Sequence, residues 1–148
     1  MSTIQSILDD KGWAIHCVGG DVTVIEAIGT MCHNHIGALV VNDDNDKPIG
    51  ILSERDIMRR VALERRDPAA TNVAEVMTHD IAFLSIDATP EDAMALMIER
   101  RCRHLPVLED EIVVGMISMG DLVHWTNRSH EHEIRALQEY VSGVPAAP

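Results

Sequence analysis

The chain of 148 residues carries 24 acidic side chains against 12 lysines and arginines, which gives a formal net charge of −12. This excess of negative charge argues against nucleic acid as a partner, because binding to a phosphate backbone depends on accumulated positive charge. No segment reaches the roughly 18–20 apolar residues that a membrane-spanning helix requires, so no membrane association is expected.

The first half of the chain shows a regular succession of predicted elements. Apolar periodicity and turn residues predict a helix over residues 1–12, a strand over 13–18, a helix from the N-cap Thr23 to about His33, strands over 38–41 and 49–52, and a helix from Glu54 to about Arg65. After the opening helix, the order is therefore strand, helix, strand, strand, helix.

The second half repeats this order after a linker over residues 67–72. The patterns predict a short helix over 73–78, a strand over 81–85, a helix that begins at Pro90 after the N-cap Thr89, strands over 105–108 and 112–117, a helix over 121–126 and a terminal helix over 129–141.

Cysteine usage and the start of the chain indicate the compartment. Cys17, Cys32 and Cys102 show no spacing typical of a metal site or a disulfide framework. The first ten residues lack the basic segment and apolar run of a signal peptide. We therefore expect a reduced, cytoplasmic protein in which Cys32 and Cys102 are small buried hydrophobic residues.

Two stretches with the same spacing anchor an internal repeat, Gly50-x-x-Ser-x-x-Asp56 and Gly115-x-x-Ser-x-x-Asp121. Upstream of them, Leu39 matches Leu105 at an offset of 66 residues, whereas the glycines match at an offset of 65. The missing residue falls in a polar turn, where deletions are tolerated best. A half of roughly 50 residues buries too little surface to fold alone comfortably, so one unit with a shared core is expected.

Taken in order, these signatures resemble the CBS domain. The resemblance rests on the Gly-x-x-Ser-x-x-Asp repeats and on Thr-Val-x-Glu-Ala (23–27), Ile-Gly-Ala-Leu-Val-Val (36–41) and Arg-His-Leu-Pro-Val (103–107). The chain as a whole resembles a tandem CBS pair, or Bateman module, of the kind found in stand-alone bacterial signal-transduction proteins.

The resemblance implies an α/β (α+β) fold of two pseudo-twofold-related β-α-β-β-α repeats packed as one globular unit. Repeat 1 would span residues 11–66 and repeat 2 residues 79–126, with a linker and short helix over 67–78 and flanking helices over 1–10 and 129–142. It also implies a homodimer.

The same resemblance implies an adenosine-containing ligand, AMP, ADP, ATP or NAD(H), in clefts between the repeats. Asp56 and Asp121 would hold ribose hydroxyls, and Ser53 and Ser118 would lie near phosphate. Basic residues ahead of the middle strand would reach phosphate, and the backbone around that strand's start would line the adenine slot. The full candidate set is Ser53, Arg55, Asp56, Ser118, Asp121, Arg103, His104, Pro106, Leu105, Ile36, Gly37 and Ala38.

The residue chemistry is compatible with such a ligand. A carboxylate can accept two hydrogen bonds from a cis-diol, a helix N-terminus favours an anion, and an arginine fork matches phosphate. Eight of the twelve cations lie beside the repeated motifs: Arg55, Arg59, Arg60, Arg65, Arg66, Arg100, Arg101 and Arg103. The alternative interpretation is that Ser-x-x-Asp only caps a helix and that the arginines form solvated helix faces.

These observations predict a regulatory nucleotide-binding module that signals its occupancy to an unidentified partner protein. The alternative is a protein-interaction or redox-partner module with vestigial ligand clefts. No catalytic or metal-binding residue is predicted, because no paired nucleophile and base and no phosphate-binding glycine loop occurs.

Overall fold

A computed structural model describes residues 2–142 of the chain. An N-terminal helix, α1 (Ile4–Lys11), precedes the first half. That half contains β1 (Cys17–Gly19), α2 (Val24–Asn34), β2 (Ala38–Asn42), β3 (Pro48–Ser53) and α3 (Glu54–Asp56), which continues as a π-helix (Ile57–Ala62).

The second half follows the short helix α4 (Val73–Val76). It contains β4 (Leu84–Ser85), α5 (Pro90–Arg100), β5 (His104–Glu109), β6 (Ile112–Ser118) and α6 (Met119–Ser142). The mixed α/β architecture confirms the predicted fold class. Among residues 2–142, no helix is both long and apolar enough to cross a membrane.

Each half builds a three-stranded sheet of the same topology. β2 lies between β1, which is parallel to it, and β3, which is antiparallel; β5 lies in the same way between β4 and β6. The register repeats as well, because Val41 pairs with Gly50 and Val107 pairs with Gly115. The pairing register shifts directly after these two valines in both sheets. The two hairpins therefore share the same irregularity at the same position.

The helix that precedes each half packs into the core of the other half. Ile4, Ile7 and Leu8 of α1 are buried in the core of the second half, whereas α4 packs into the core of the first half. Backbone hydrogen bonds fix both positions: the Ile4 N–H donates to Ala88 O, and the Val73 N–H donates to Val22 O. α1 is therefore an integral part of the second half.

Several local predictions differ from the structure. The predicted helices over 121–126 and 129–141 form the single helix α6, because the residues between them include neither glycine nor proline to end it. β4 has only two residues where a strand over 81–85 was predicted. Cys32 is exposed, because α2 turns it away from the stripe that packs on the core, and Cys102 is only partly buried.

Candidate functional site

A cavity of about 440 Å³ lies between the two halves. The first half contributes the end of β3, α3 and the start of the π-helix. The second half contributes the segment ahead of β4 and the segment that runs from the end of α5 to the start of β5. Its lining comprises Ile51, Ser53, Glu54, Arg55, Asp56, Met58, Arg59, Arg60, Thr78, Asp80, Ile81, Ala82, Arg100, Arg101, Cys102, Arg103 and His104.

Asp56 lies at the centre of a hydrogen-bond network in this cavity. Its Oδ2 accepts from the backbone N–H of Ser53 at 2.9 Å and from the Ser53 hydroxyl at 3.0 Å. Its Oδ1 accepts from the Thr78 hydroxyl at 2.8 Å, which joins the motif to the segment ahead of the second half. The side chain caps its own helix and is only 7% exposed. The Ser-x-x-Asp motif therefore caps its helix, and within residues 2–142 the cap leaves one acceptor position free on Oδ1.

Thr78 also bonds through its backbone. Its N–H donates to Ile51 O at 2.9 Å, and its carbonyl accepts from the Ile51 N–H at 3.0 Å. These bonds fix the cavity wall beside Asp56. Because residues 100–104 of the second half also line the cavity, an occupant would contact the two halves at once.

Six arginines and three carboxylates line the cavity, although the whole chain carries a net charge of −12. Three of the guanidinium groups have partners within the protein: Arg60 donates to Val76 O and Met77 O, Arg100 pairs with Asp80, and Arg55 donates to Arg101 O.

The other three cavity arginines are Arg59, Arg101 and Arg103. In the described part of the chain, their guanidinium groups form no hydrogen bond or ion pair, and all three residues are exposed. Free guanidinium forks in a cavity suit phosphate or carboxylate, because they can donate two parallel hydrogen bonds.

His104 lies where the two halves meet. A Cβ at Gly37 would lie 3.2 Å from both His104 Nε2 and Glu54 Oε1, so the absence of a side chain at Gly37 allows this approach. Burial lowers the pKa of His104 below its ordinary value of 6.5, and the charges of Lys11 and Arg103 act in the same direction. The carboxylates of Glu54 and Asp121 oppose this shift without overcoming it.

This lowered pKa predicts a loss of stability in mild acid. His104 takes up a proton at its ordinary pKa of 6.5 in the unfolded chain, but only at lower pH in the folded chain. The free energy of unfolding is therefore not reduced by this group above pH 6.5, and it decreases as the pH falls from 6.5 towards the lowered pKa. We expect the melting temperature of His104→Gln to fall less steeply than that of the wild type between pH 7.5 and 5.5. The exposed control His79→Gln should follow the wild type; parallel curves for His104→Gln and the wild type would contradict the assignment.

The second motif has a different environment. The Ser118 N–H donates to Asp121 Oδ2 at 2.8 Å, as in the first motif, but the Lys11 ammonium donates to the same oxygen at 2.7 Å. Burial alone would raise the pKa of Asp121, but the hydrogen bond and charge of Lys11 and the bonds from Ser118 hold this pKa below its ordinary value. Asp121 borders a groove of about 300 Å³ between α1 and α6, not the arginine-lined cavity.

The candidate residues from the sequence divide into two groups. Those that line the cavity are Ser53, Arg55, Asp56, Arg103 and His104. Those that lie outside its lining are Ile36, Gly37, Ala38, Leu105, Pro106, Ser118 and Asp121. Within the second group, Ala38, Leu105 and Pro106 are buried strand residues, because each sheet is covered by the helices of its half.

Several cavity residues had not been selected as candidates. The charge clustering of the sequence had singled out Arg59, Arg60, Arg100 and Arg101 without assigning them to a site. Thr78 and the segment over 80–82 carry no local signal, because they reach the cavity only through the packing of one half on the other. In the described residues, no group of three or more histidine, cysteine or carboxylate side chains is placed to hold a metal ion.

Comparison with known proteins places this architecture in a family. A solved CBS-domain protein of Burkholderia ambifaria MC40-6 is 41% identical and superimposes with a TM-score of 0.80, over 84% of this chain and 93% of that chain. The CBS-domain pair of protein MJ0100, solved with 5′-methylthioadenosine and S-adenosyl-L-methionine, is 19% identical with a TM-score of 0.77, over 87% of this chain and 98% of that chain, and shows the same fold.

Sequence comparison agrees with the fold. The mitochondrial CBS domain-containing protein CBSX3 of Arabidopsis thaliana is 33% identical over 154 residues, which cover 96% of this chain and 73% of that protein. The sequence model of the CBS domain matches twice, over residues 14–63 and 73–127. The chain therefore belongs to the CBS domain family, as a pair of CBS repeats.

Proposed function

We propose that this CBS pair is a sensor of adenosine nucleotides, which bind in the cavity beside Asp56 and signal their presence to a partner protein. The observation that carries the proposal is the cluster of six arginines around the Asp56 motif in a chain of net charge −12. Such a concentration of positive charge, in a cavity lined by both halves, favours an anionic ligand. The function is regulatory and not catalytic.

The cavity provides complementary groups for each part of a nucleotide. Its volume of about 440 Å³ lies within the range of roughly 300–1,000 Å³ that small-molecule sites occupy. The free acceptor position of Asp56 would receive a ribose hydroxyl, and the hydroxyl of Ser53 would lie near phosphate. The forks of Arg59, Arg101 and Arg103 would donate to phosphate, and apolar side chains such as Ile81 would contact the base.

The arginines also favour one class of adenosine compound over another. The MJ0100 pair was solved with S-adenosyl-L-methionine, whose sulfonium is a cation. In this chain, the uncompensated guanidinium groups would repel such a cation and attract phosphate. We therefore propose AMP, ADP, ATP or NAD(H) as the ligand class, in preference to a sulfonium compound.

A ligand in this position would have a route to a partner. Because both halves line the cavity, an occupied cavity would bind one relative orientation of the halves better than another, and a partner could recognise the favoured orientation. We propose the cytoplasm as the compartment, since Cys17, Cys32 and Cys102 are free thiols.

We further propose a homodimer. The last turns of α6 expose Ile134, Leu137 and Val141 at helical spacing, with exposed fractions of 55%, 65% and 84%. Contiguous apolar residues of this kind mark interaction surfaces more often than free surface. Light scattering measures the mass of the particle in solution, and a monomer would contradict this part of the proposal.

Thermal unfolding tests the nucleotide function. We expect AMP, ADP, ATP, NAD⁺ or NADH, but not S-adenosylmethionine, to raise the melting temperature. A ligand at a hundred times its dissociation constant adds about 2.7 kcal/mol, a shift of roughly 5–10 °C for a chain of this size.

A null result decides for the alternative function. If no compound shifts the transition, and mass spectrometry shows that the purified protein carries no nucleotide, the sensor proposal fails. A protein-interaction module with vestigial clefts would then be the better description.

A further inference from the structure

We propose that Lys11 is an internal lock on the second motif: its ammonium occupies Asp121, so that the chain takes one nucleotide, in the Asp56 cavity, and none at Asp121. The number of nucleotides per chain rests on the proposed function, but the contact between Lys11 and Asp121 is present in the protein without ligand. Lys11 is the last residue of α1 and lies outside the two segments that match the CBS domain, residues 14–63 and 73–127.

The internal symmetry shows what Lys11 replaces. In the first half, Thr78 donates twice: its N–H to Ile51 O, directly after the motif glycine, and its hydroxyl to Asp56. In the second half, the Lys11 ammonium donates to Met116 O at 2.8 Å and to Asp121 Oδ2 at 2.7 Å, the oxygen that also accepts from the Ser118 N–H. A single cationic group thus takes the place of two neutral donors.

The positive charge of the Lys11 ammonium makes the environments of the two motifs different. Among residues 2–142, the groups that donate to Asp56 are all neutral, so its negative charge stays available to a ligand diol. Asp121 is half-buried in an ion pair with Lys11, and its pKa is lowered accordingly. The ammonium holds Asp121 Oδ2 by a charge-assisted hydrogen bond, which is stronger than the neutral bonds that a diol could offer in its place.

The lock is held rigidly because α1 is anchored in the core. Leu8, one turn before Lys11, is fully buried and lies so close to Gly115 that a Cβ there would approach it to 2.9 Å. Arg128 of α6 forms a further ion pair with Asp10, beside Lys11. Lys11 therefore lies at the end of a helix that packs on β6 and forms an ion pair with α6, and these contacts fix the position of its ammonium.

Binding stoichiometry tests the lock, with ATP as the probe in isothermal titration calorimetry. We expect one ATP per wild-type chain, and two per chain for Lys11→Ala, which removes both the ammonium and the chain that carries it. Lys11→Arg keeps a cation in place and should stay at one. Two ATP per wild-type chain, or a single ATP for Lys11→Ala, would overturn the proposal.

A second measurement keeps the lock separate from the nucleotide function. The Asp121 carboxyl, followed by carbon NMR in the ligand-free chain, should titrate at higher pH in Lys11→Ala than in the wild type. Equal titration in the two proteins would overturn the lock whether or not ATP binds. If the wild type binds no ATP, AMP or NADH while Asp121 shifts as expected, the nucleotide function fails and the lock stands.

Discussion

Asp56→Ala is expected to abolish the nucleotide-dependent rise in melting temperature and to lower the free energy of unfolding by about 2–4 kcal/mol. The destabilisation has two causes. The variant removes the Asp56 half of the capping box at the helix that follows β3, and it leaves the partly buried donors of Ser53 and Thr78 without their acceptor. Chemical denaturation of the ligand-free variant measures this first effect.

The loss of ligand response must be separated from the loss of stability. Asp56→Asn keeps the size of the side chain and one carbonyl oxygen, so it should fold more stably than Asp56→Ala but should still lose most of the nucleotide shift. The matched control is Asp121→Asn, which breaks the ion pair with Lys11 but lies outside the cavity. A full nucleotide shift in Asp56→Asn, or its loss in Asp121→Asn alone, would contradict the assignment of the site to the first motif.

The fold was predictable from the sequence because strands and turns require particular residue types, and these residue types recur in both halves. Gly50 and Gly115 mark the same register position in two hairpins, and the one-residue difference in offset falls in the turns. The shorter turn is compact because Asp110 and Glu111 both have a positive φ, of 52° and 67°. Local patterns of this kind are visible without knowledge of the tertiary packing.

The site was only partly predictable, because its differences arise from contacts between distant segments. Lys11 and Asp121 are 110 residues apart, and no periodicity in α1 indicates that this helix packs on the second half. The repeat predicted a ribose-binding aspartate in each half, whereas the partners that distinguish the two aspartates appear only in the structure.

The arginines illustrate the same limit. The sequence showed that they cluster, but Arg60 is bound to backbone carbonyls of α4 and Arg59 is not, although the two are neighbours. Adjacent residues of a helix do not share a face, so which of the two arginines reaches these carbonyls depends on where α4 packs. The local sequence does not record that packing.

Removing two of the free guanidinium groups, in the double variant Arg59→Ala/Arg103→Ala, should weaken ATP binding by about 100-fold and change adenosine binding little. Because both arginines are exposed, we assign each phosphate contact about 1.4 kcal/mol of binding free energy, near the lower limit for charged hydrogen bonds. A loss of about 1.4 kcal/mol lowers the affinity about tenfold, so two such losses lower it about 100-fold. Adenosine lacks phosphate and should bind both proteins alike. Isothermal titration with the two ligands measures the difference directly.

The control for this variant must reproduce its change in net charge, because long-range attraction of ATP also falls when two cations are lost. Lys47→Ala/Arg135→Ala removes two exposed cations that lie outside the cavity. We expect this control to weaken ATP binding by less than about threefold, and by less still at high salt, where exposed charges are screened. Equal losses in the two double variants, or an equal loss for adenosine and ATP, would show that the arginines act through overall charge or fold and not through contact with phosphate.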